Sequence, residues 1–144
     1  MMLDKQTTLS EEQAVTATAN STDVYDQGTT GGDLGAGQPL MFEALVTEAF
    51  AGATSVEVQL VGADNGALAT NPVVIESSGA IAVADLVAGY RFAGTVNLHE
   101  PKRYIGFKYV VADGPATGGK VTSFINLDVN AYTSYAAGYE VHTN

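Results

Sequence analysis

The sequence predicts an all-β fold, a single-domain jelly-roll-like β-sandwich of about eight strands with short terminal arms. Three observations predict it. Apolar and polar residues alternate with period two in segment after segment, which is the pattern of half-buried strands. Glycine, proline, asparagine or serine clusters interrupt these segments about every ten residues, the rhythm of a sandwich or barrel. The helix-start pattern Ser10-Glu11-Glu12-Gln13 is followed by no apolar face that a helix could bury. Closing the strands into two facing sheets limits the number of exposed edges, which favours a jelly roll over an open sheet.

Residues 1–10 read as an N-terminal arm, with Leu3 and Leu9 as its apolar anchors beyond the methionines. Residues 12–19 read as a weak strand, because Thr16, Thr18 and Thr22 prefer extended backbone. Val24 and Tyr25 mark a second short strand, ended by the glycine-rich segment from Gln27 to Gln38. From Pro39 to Ala49, Leu40, Phe42, Ala44 and Val46 alternate with Met41, Glu43, Leu45, Thr47 and Glu48, a strand with one face towards the core. Thr54 to Val61 repeats the pattern with Val56, Val58 and Leu60, and Ala63-Asp64-Asn65-Gly66 supplies a turn with left-handed backbone at Asn65 or Gly66.

Two shorter strands are expected at Asn71–Glu76 and Ala80–Val83, separated by a turn at Ser77-Ser78-Gly79, and another at Tyr90–Leu98 before the break at His99-Glu100-Pro101. Arg103, Ile105, Phe107, Tyr109 and Val111 then share one face of a strand, and Val121, Ser123, Ile125, Leu127 and Val129 one face of the next. The loop Ala112-Asp113-Gly114-Pro115-Ala116-Thr117-Gly118-Gly119 between them favours an antiparallel hairpin. The sandwich domain is thus set at 11–130, followed by a tyrosine-rich C-terminal tail at 131–144.

At 144 residues the chain suits one domain with a self-sufficient core. It has no cysteine, which removes disulfides and thiolate metal sites. No secretory leader and no stretch of membrane-spanning length is expected. The net charge of −10 is unevenly spread: residues 1–90 hold twelve acids and one base, Lys5, whereas Arg91, Lys102, Arg103, Lys108 and Lys120 stand against only Glu100 and Asp113 between 91 and 120. An acidic body repels phosphate backbones, so direct nucleic-acid binding is not expected. The basic segment has two readings, a patch that meets an acidic neighbour or the solubilising charges of a solvated strand face.

Reactive constellations are missing from the pattern. His99 and His142 belong to no metal-ligand spacing, and Ser21, Ser77 and Ser78 have no nucleophile elbow around them. The glycine-rich run Gly28–Gly37 lacks the lysine of a phosphate loop and carries Asp33, so it reads as a connection between strands. Glu43, Glu48, Glu57 and Glu76 are formally available as paired carboxylates, but the chain has no tryptophan for a sugar platform, and solvated strand residues account for them. No catalytic residue, cofactor or metal is expected. Tyr132, Tyr135 and Tyr139 cluster in the tail, as an interface of large stiff rings or as a segment folded back on its own sandwich.

Several segments carry a resemblance. Lys102-Arg103-Tyr104-Ile105-Gly106-Phe107-Lys108-Tyr109, Gly114-Pro115 and Gly118-Gly119-Lys120-Val121-Thr122-Ser123-Phe124 resemble the corresponding region of the Bbp16-like capsid cement proteins of tailed bacteriophages. Met2-Leu3-Asp4-Lys5, Leu9-Ser10, Gln13 to Ala19, Asp33 to Leu40 and Ile81 to Tyr90 agree in the same order. The resemblance implies a jelly-roll-like β domain, made in the host cytoplasm, that decorates and fastens an assembled capsid shell, and the acidic charge then puts it on the outer surface. It implies the major capsid protein as partner and a homodimer, with a homotrimer as the other possibility. Lys102, Arg103, Lys108, Lys120, Tyr132, Tyr135 and Tyr139 are the candidate interface. The competing reading is a carbohydrate- or receptor-binding module of a virion, and behind it a minor hydrolase.

Overall fold

The computed structural model describes residues 5–29, 39–96 and 102–126. They form nine strands: β1 (Thr8–Ala14), β2 (Ala19–Asn20), β3 (Tyr25–Asp26), β4 (Leu40–Ala51), β5 (Ser55–Ala63), β6 (Val73–Ala82), β7 (Arg91–Val96), β8 (Tyr104–Ala112) and β9 (Gly118–Asn126), with one 3-10 turn at Val83–Asp85. All pairings are antiparallel. Sheet I has the order β1-β9-β4-β7, and sheet II the order β2-β8-β5-β6 with β3 also on β8.

This is a jelly roll, and its logic is nesting. β5 pairs with β6, β4 with β7, β2 and β3 with β8, and β1 with β9, so the chain resembles one long hairpin rolled into two facing sheets. β2 and β3 are two pieces of one position: Ala19 and Asn20 face Tyr109 and Lys108, while Tyr25 and Asp26 face Ile105 and Tyr104. Counted by position, the sandwich has the eight strands expected. Where the pieces separate, Ser21 keeps one ladder bond, its N donating to Phe107 O at 2.7 Å, and its side chain supplies the other. Its hydroxyl accepts from Phe107 N and donates to Asp23 O, at 3.0 and 2.8 Å.

The alternation places the core as the sequence demands. Leu40, Phe42, Ala44 and Val46 of β4 and Val121 and Ile125 of β9 face Val56, Val58 and Leu60 of β5 and Ile105, Phe107 and Tyr109 of β8, all buried. Phe42 meets Phe92 and Phe107 at 5.4 and 6.3 Å between ring centroids, and Phe107 stacks on Tyr109.

Four local expectations are corrected. β8 and β9 form no hairpin: they lie in different sheets, because β5 and the β2–β3 position take both sides of β8 while β1 and β4 take both sides of β9. The loop between them is a corner that carries the chain across the core, held by Ala116 N to Thr16 O at 2.7 Å and Thr117 N to Ala51 O at 2.8 Å. Gly119, at φ 131°, lies under the Phe50 ring with no room for a Cβ.

The weak strand of 12–19 starts earlier, at Thr8, and ends at Ala14. Thr8, Leu9 and Ser10, read as arm, belong to it because Leu9 is fully buried in the core. The Ser77-Ser78-Gly79 turn is instead a bulge within one continuous β6, where the register against β5 slips between Glu57 and Gln59 and Gly79 takes φ 67°. In the 63–71 turn, left-handed backbone falls on Leu68 and Asn71 instead of Asn65 or Gly66. Asn65 acts through its side chain, whose Oδ1 accepts from Ala69 N and Thr70 N.

Candidate interaction surface

The cations of the basic segment are spread over both sheets. With Ile105, Phe107 and Tyr109 turned inwards, Lys108 stands on the outer face of sheet II; with Val121 and Ser123 turned inwards, Lys120 stands on the outer face of sheet I. Lys102 and Arg103 precede β8. Tyr132, Tyr135 and Tyr139, like His99 and His142 and most of the glycine-rich segment, lie outside the described residues.

Three of the four named cations are held by acids of the N-terminal half. Arg103 donates from Nε and a terminal nitrogen to the two carboxylate oxygens of Asp26 at 2.9 and 3.1 Å, and its guanidinium lies 5.0 Å from the Tyr104 ring centre. The guanidinium and the Gly28 amide hold the Asp26 carboxyl below its usual range, and Asp26 in turn raises Arg103. Lys102 Nζ lies 3.1 Å from Asp64 Oδ1, and Asn71 donates to the other Asp64 oxygen at 2.9 Å. Asn71 first and Lys102 second lower the Asp64 carboxyl. Lys120 pairs with Glu48 at 3.0 Å, which raises its ammonium. Among the described residues no carboxylate lies within ion-pair distance of Lys108. These pairs are exposed, so they fix local geometry more than they stabilise the fold.

The sequence reading missed the most enclosed pair. Glu43, taken as a solvated strand residue, is buried, and its two oxygens accept from Arg91 Nε and a terminal nitrogen at 2.8 and 2.6 Å. Glu43 opposes Ala93 of β7, and Arg91 opposes Leu45 of β4, so the fork bridges diagonally across two neighbouring strands. Glu43 raises the Arg91 guanidinium. The alternation put Glu43 on the outer face correctly; only the pairing of β4 with β7 could have shown its partner.

A second polar feature lies inside. Tyr109 of β8 is fully buried; its hydroxyl donates to Ser123 Oγ of β9 at 2.8 Å and lies 2.9 Å from Ser10 Oγ of β1. Burial raises the phenol above its ordinary value, and the two serines oppose that. Ser10 also donates to Gln13 Oε1, which accepts from the Thr22 amide and hydroxyl, while Gln13 Nε2 donates to Asn20 O. The network ties the two sheets together at the β1–β2 end of the sandwich.

The carboxylates that could have met in a cleft do not converge. Glu43 and Glu48 are on β4 of sheet I, Glu57 and Glu76 on β5 and β6 of sheet II. Glu57 accepts from Gln59 and Ser77, which lower its carboxyl. Among the described residues no group of three or more His, Cys, Asp or Glu side chains is placed to hold a metal ion. A gap of about 10 Å³ lies in the core between Phe50, Leu86 and Tyr90, apolar and barely the size of one water. Outside, an open groove of about 570 Å³ is lined by Lys5, Thr8, Glu11, Glu12, Asp23 and Thr122. No helix among the described residues is long and apolar enough to cross a membrane.

No curated protein matches the sequence. The model of one protein family, described as Bbp16, matches residues 9–125. That span runs from the first buried residue of β1 to the last buried residue of β9, the two ends of the outermost nested pair. A match over so much of the sandwich covers the fold and not a fragment of it, and the chain belongs to the Bbp16 family.

Proposed function

We propose that this protein is a capsid cement protein of a tailed bacteriophage, which binds the outer surface of the mature shell and fastens neighbouring copies of the major capsid protein. The coarse part of this reading, a structural protein of a phage, rests on membership of the Bbp16 family; the match over residues 9–125 is the observation that carries it. The mechanism is addition of binding energy across joints between shell subunits, at a composite site that the unexpanded shell lacks. Binding only the assembled state stabilises it by about 2.7 kcal/mol per site when free protein exceeds its dissociation constant about a hundredfold. A homodimer or homotrimer would add avidity on a symmetry axis. The acidic body supports a place on the outer surface rather than against packaged nucleic acid.

With Lys102, Arg103 and Lys120 already in ion pairs, the basic segment offers Lys108 as the charge most available to a shell subunit. The test is co-sedimentation of the purified protein with mature and with unexpanded shells, together with the rupture temperature of the mature particles. Stoichiometric binding to mature shells and a higher rupture temperature are expected. Binding to unexpanded shells alone, or glycan binding by the isolated protein with no shell affinity, would overturn the proposal.

A further inference from the structure

An open sandwich has four edge strands, each with a row of amide and carbonyl groups facing away from its sheet. Among the described residues these are β1 and β7 in sheet I, and β6 and the β2–β3 position in sheet II. Three of them carry devices that spoil pairing with another chain. β1 slips register twice against β9 and bears Glu11 and Glu12. β6 slips twice against β5, with left-handed Gly79 inside it. β2 and β3 are two residues each, and β3 ends in Asp26.

β7 has none of these. Its six residues, Arg91 to Val96, pair with Leu45 to Leu40 in unbroken register, and it contains no proline. Its one charge, Arg91, is neutralised by Glu43. The outward side chains Ala93 and Thr95 are small and exposed.

We infer that β7 is an interaction edge, and that its occupant is β7 of a second copy, antiparallel and centred on Ala93, which joins two four-stranded sheets into one of eight strands. The inference rests on the dimer part of the proposed function and names the surface that makes it. Antiparallel self-pairing about residue 93 sets Ala93 opposite Ala93, Arg91 opposite Thr95 and Phe92 opposite Gly94 of the other copy. Faces are kept, because each pair lies on the same side of the sheet. No like charges meet, and the bulky Phe92 falls beside the residue without a side chain. Strand addition of this kind takes its affinity from main-chain hydrogen bonds, which any acidic body can supply, so the net charge of −10 does not prevent it at ordinary ionic strength.

The chain has no cysteine, so a single introduced thiol reports cleanly. Directly opposed residues place their Cβ atoms about 4.5–5.5 Å apart, close to disulfide reach. A93C is expected to form a covalent dimer under mild oxidation at least tenfold faster than V74C, a control at a half-exposed position on β6. A93K alone and A93E alone are expected to have monomer mass in solution, and an equimolar mixture of the two to regain dimer mass. Circular dichroism checks that each variant is folded; Ala93 is exposed, and its Cβ lies away from the core.

A monomeric wild type, equal cross-linking of A93C and V74C, or an A93K that stays dimeric would each overturn the inference. Pairing of β7 by another segment of the same chain would give the first of these results. Shell co-sedimentation of the wild type separates the two claims. A dimer cross-linked through residue 93 that ignores shells sinks cementing alone, and a monomer that binds shells sinks the edge alone.

Discussion

Replacing Tyr109 by phenylalanine removes one oxygen atom from the centre of the sandwich and leaves its ring packing in place. The ring is fully buried and stacks on Phe107 with centroids 6.5 Å apart, contacts that Phe reproduces. What is lost is the one hydroxyl that reaches from β8 to Ser123 and Ser10 in the other sheet. Ser10 keeps Gln13 as a partner at 2.7 Å, so its share of the loss is about 1 kcal/mol, the net worth of an ordinary hydrogen bond. Ser123 is fully buried, and leaving its hydroxyl without that partner adds a desolvation penalty of about 1–2 kcal/mol. The sum, about 2–3 kcal/mol, corresponds at this chain length to a fall in melting temperature of roughly 6–9 °C. In urea the midpoint is expected to drop with an unchanged slope, since the surface exposed on unfolding is the same. The variant Y109F/S123A, which removes the orphan as well, should recover about 1 kcal/mol of the loss. A Y109F protein as stable as the wild type, or a double variant that loses the full sum of both changes, would refute the network as a structural link.

Two further outcomes follow from the charges. Glu43→Gln breaks the fork to Arg91; because the Arg91 side chain is 48% exposed while Glu43 is 8% exposed, the pair is only half desolvated, and a double-mutant cycle with Arg91→Gln should give a coupling of about 1–2 kcal/mol, well short of a fully buried pair. Acid stability is set in part by Asp26, Asp64 and Glu57, whose carboxyls are all lowered in the folded chain. Their contribution is therefore complete above the ordinary values of 3.8 and 4.5 and is lost as pH falls below them through the folded pKa values; urea midpoints down an acid series should show this, and Glu57→Gln should flatten the upper part of the decline.

Local chemistry made the strands legible and left their partners hidden. The inward sets of β4, β5, β8 and β9 can be read directly from period-two alternation, because each of these strands buries one face in a core that tolerates no polar interruption beyond Ser123. Partner choice is a different quantity. Val111 and Val121 are joined by a loop rich in turn residues, and nothing in that loop distinguishes a hairpin from a corner. What distinguishes them is competition for strand sides, and the winners, β1 and the β2–β3 position, come from the far end of the chain. Ser77-Ser78-Gly79 shows the same limit on a smaller scale. Left-handed glycine serves a turn and a bulge equally, and β6 is long enough here to run through it.

The nesting that hid the pairing also governs what the surface can do. Rolling a long hairpin brings each C-terminal strand back against an N-terminal one, so the basic second half meets the acidic first half within the same molecule. Arg103 finds Asp26 77 residues away, and Lys102 finds Asp64 at a separation of 38. A charge asymmetry that looks in sequence like a bipolar docking device is thus largely spent on the fold's own loops and strands. The surface left to recognise a neighbour is short on free cations, and its edge strands offer backbone groups. Its edges then become the features with distinct chemistry, and among them the regular, unbulged β7 has no local device that blocks pairing. On the inference drawn for β7, the contact between copies is made by strand geometry more than by charge, so self-association should depend only weakly on salt. A steep fall in self-association as ionic strength rises would mean that Lys108 and the exposed acids, rather than the β7 edge, make the contact.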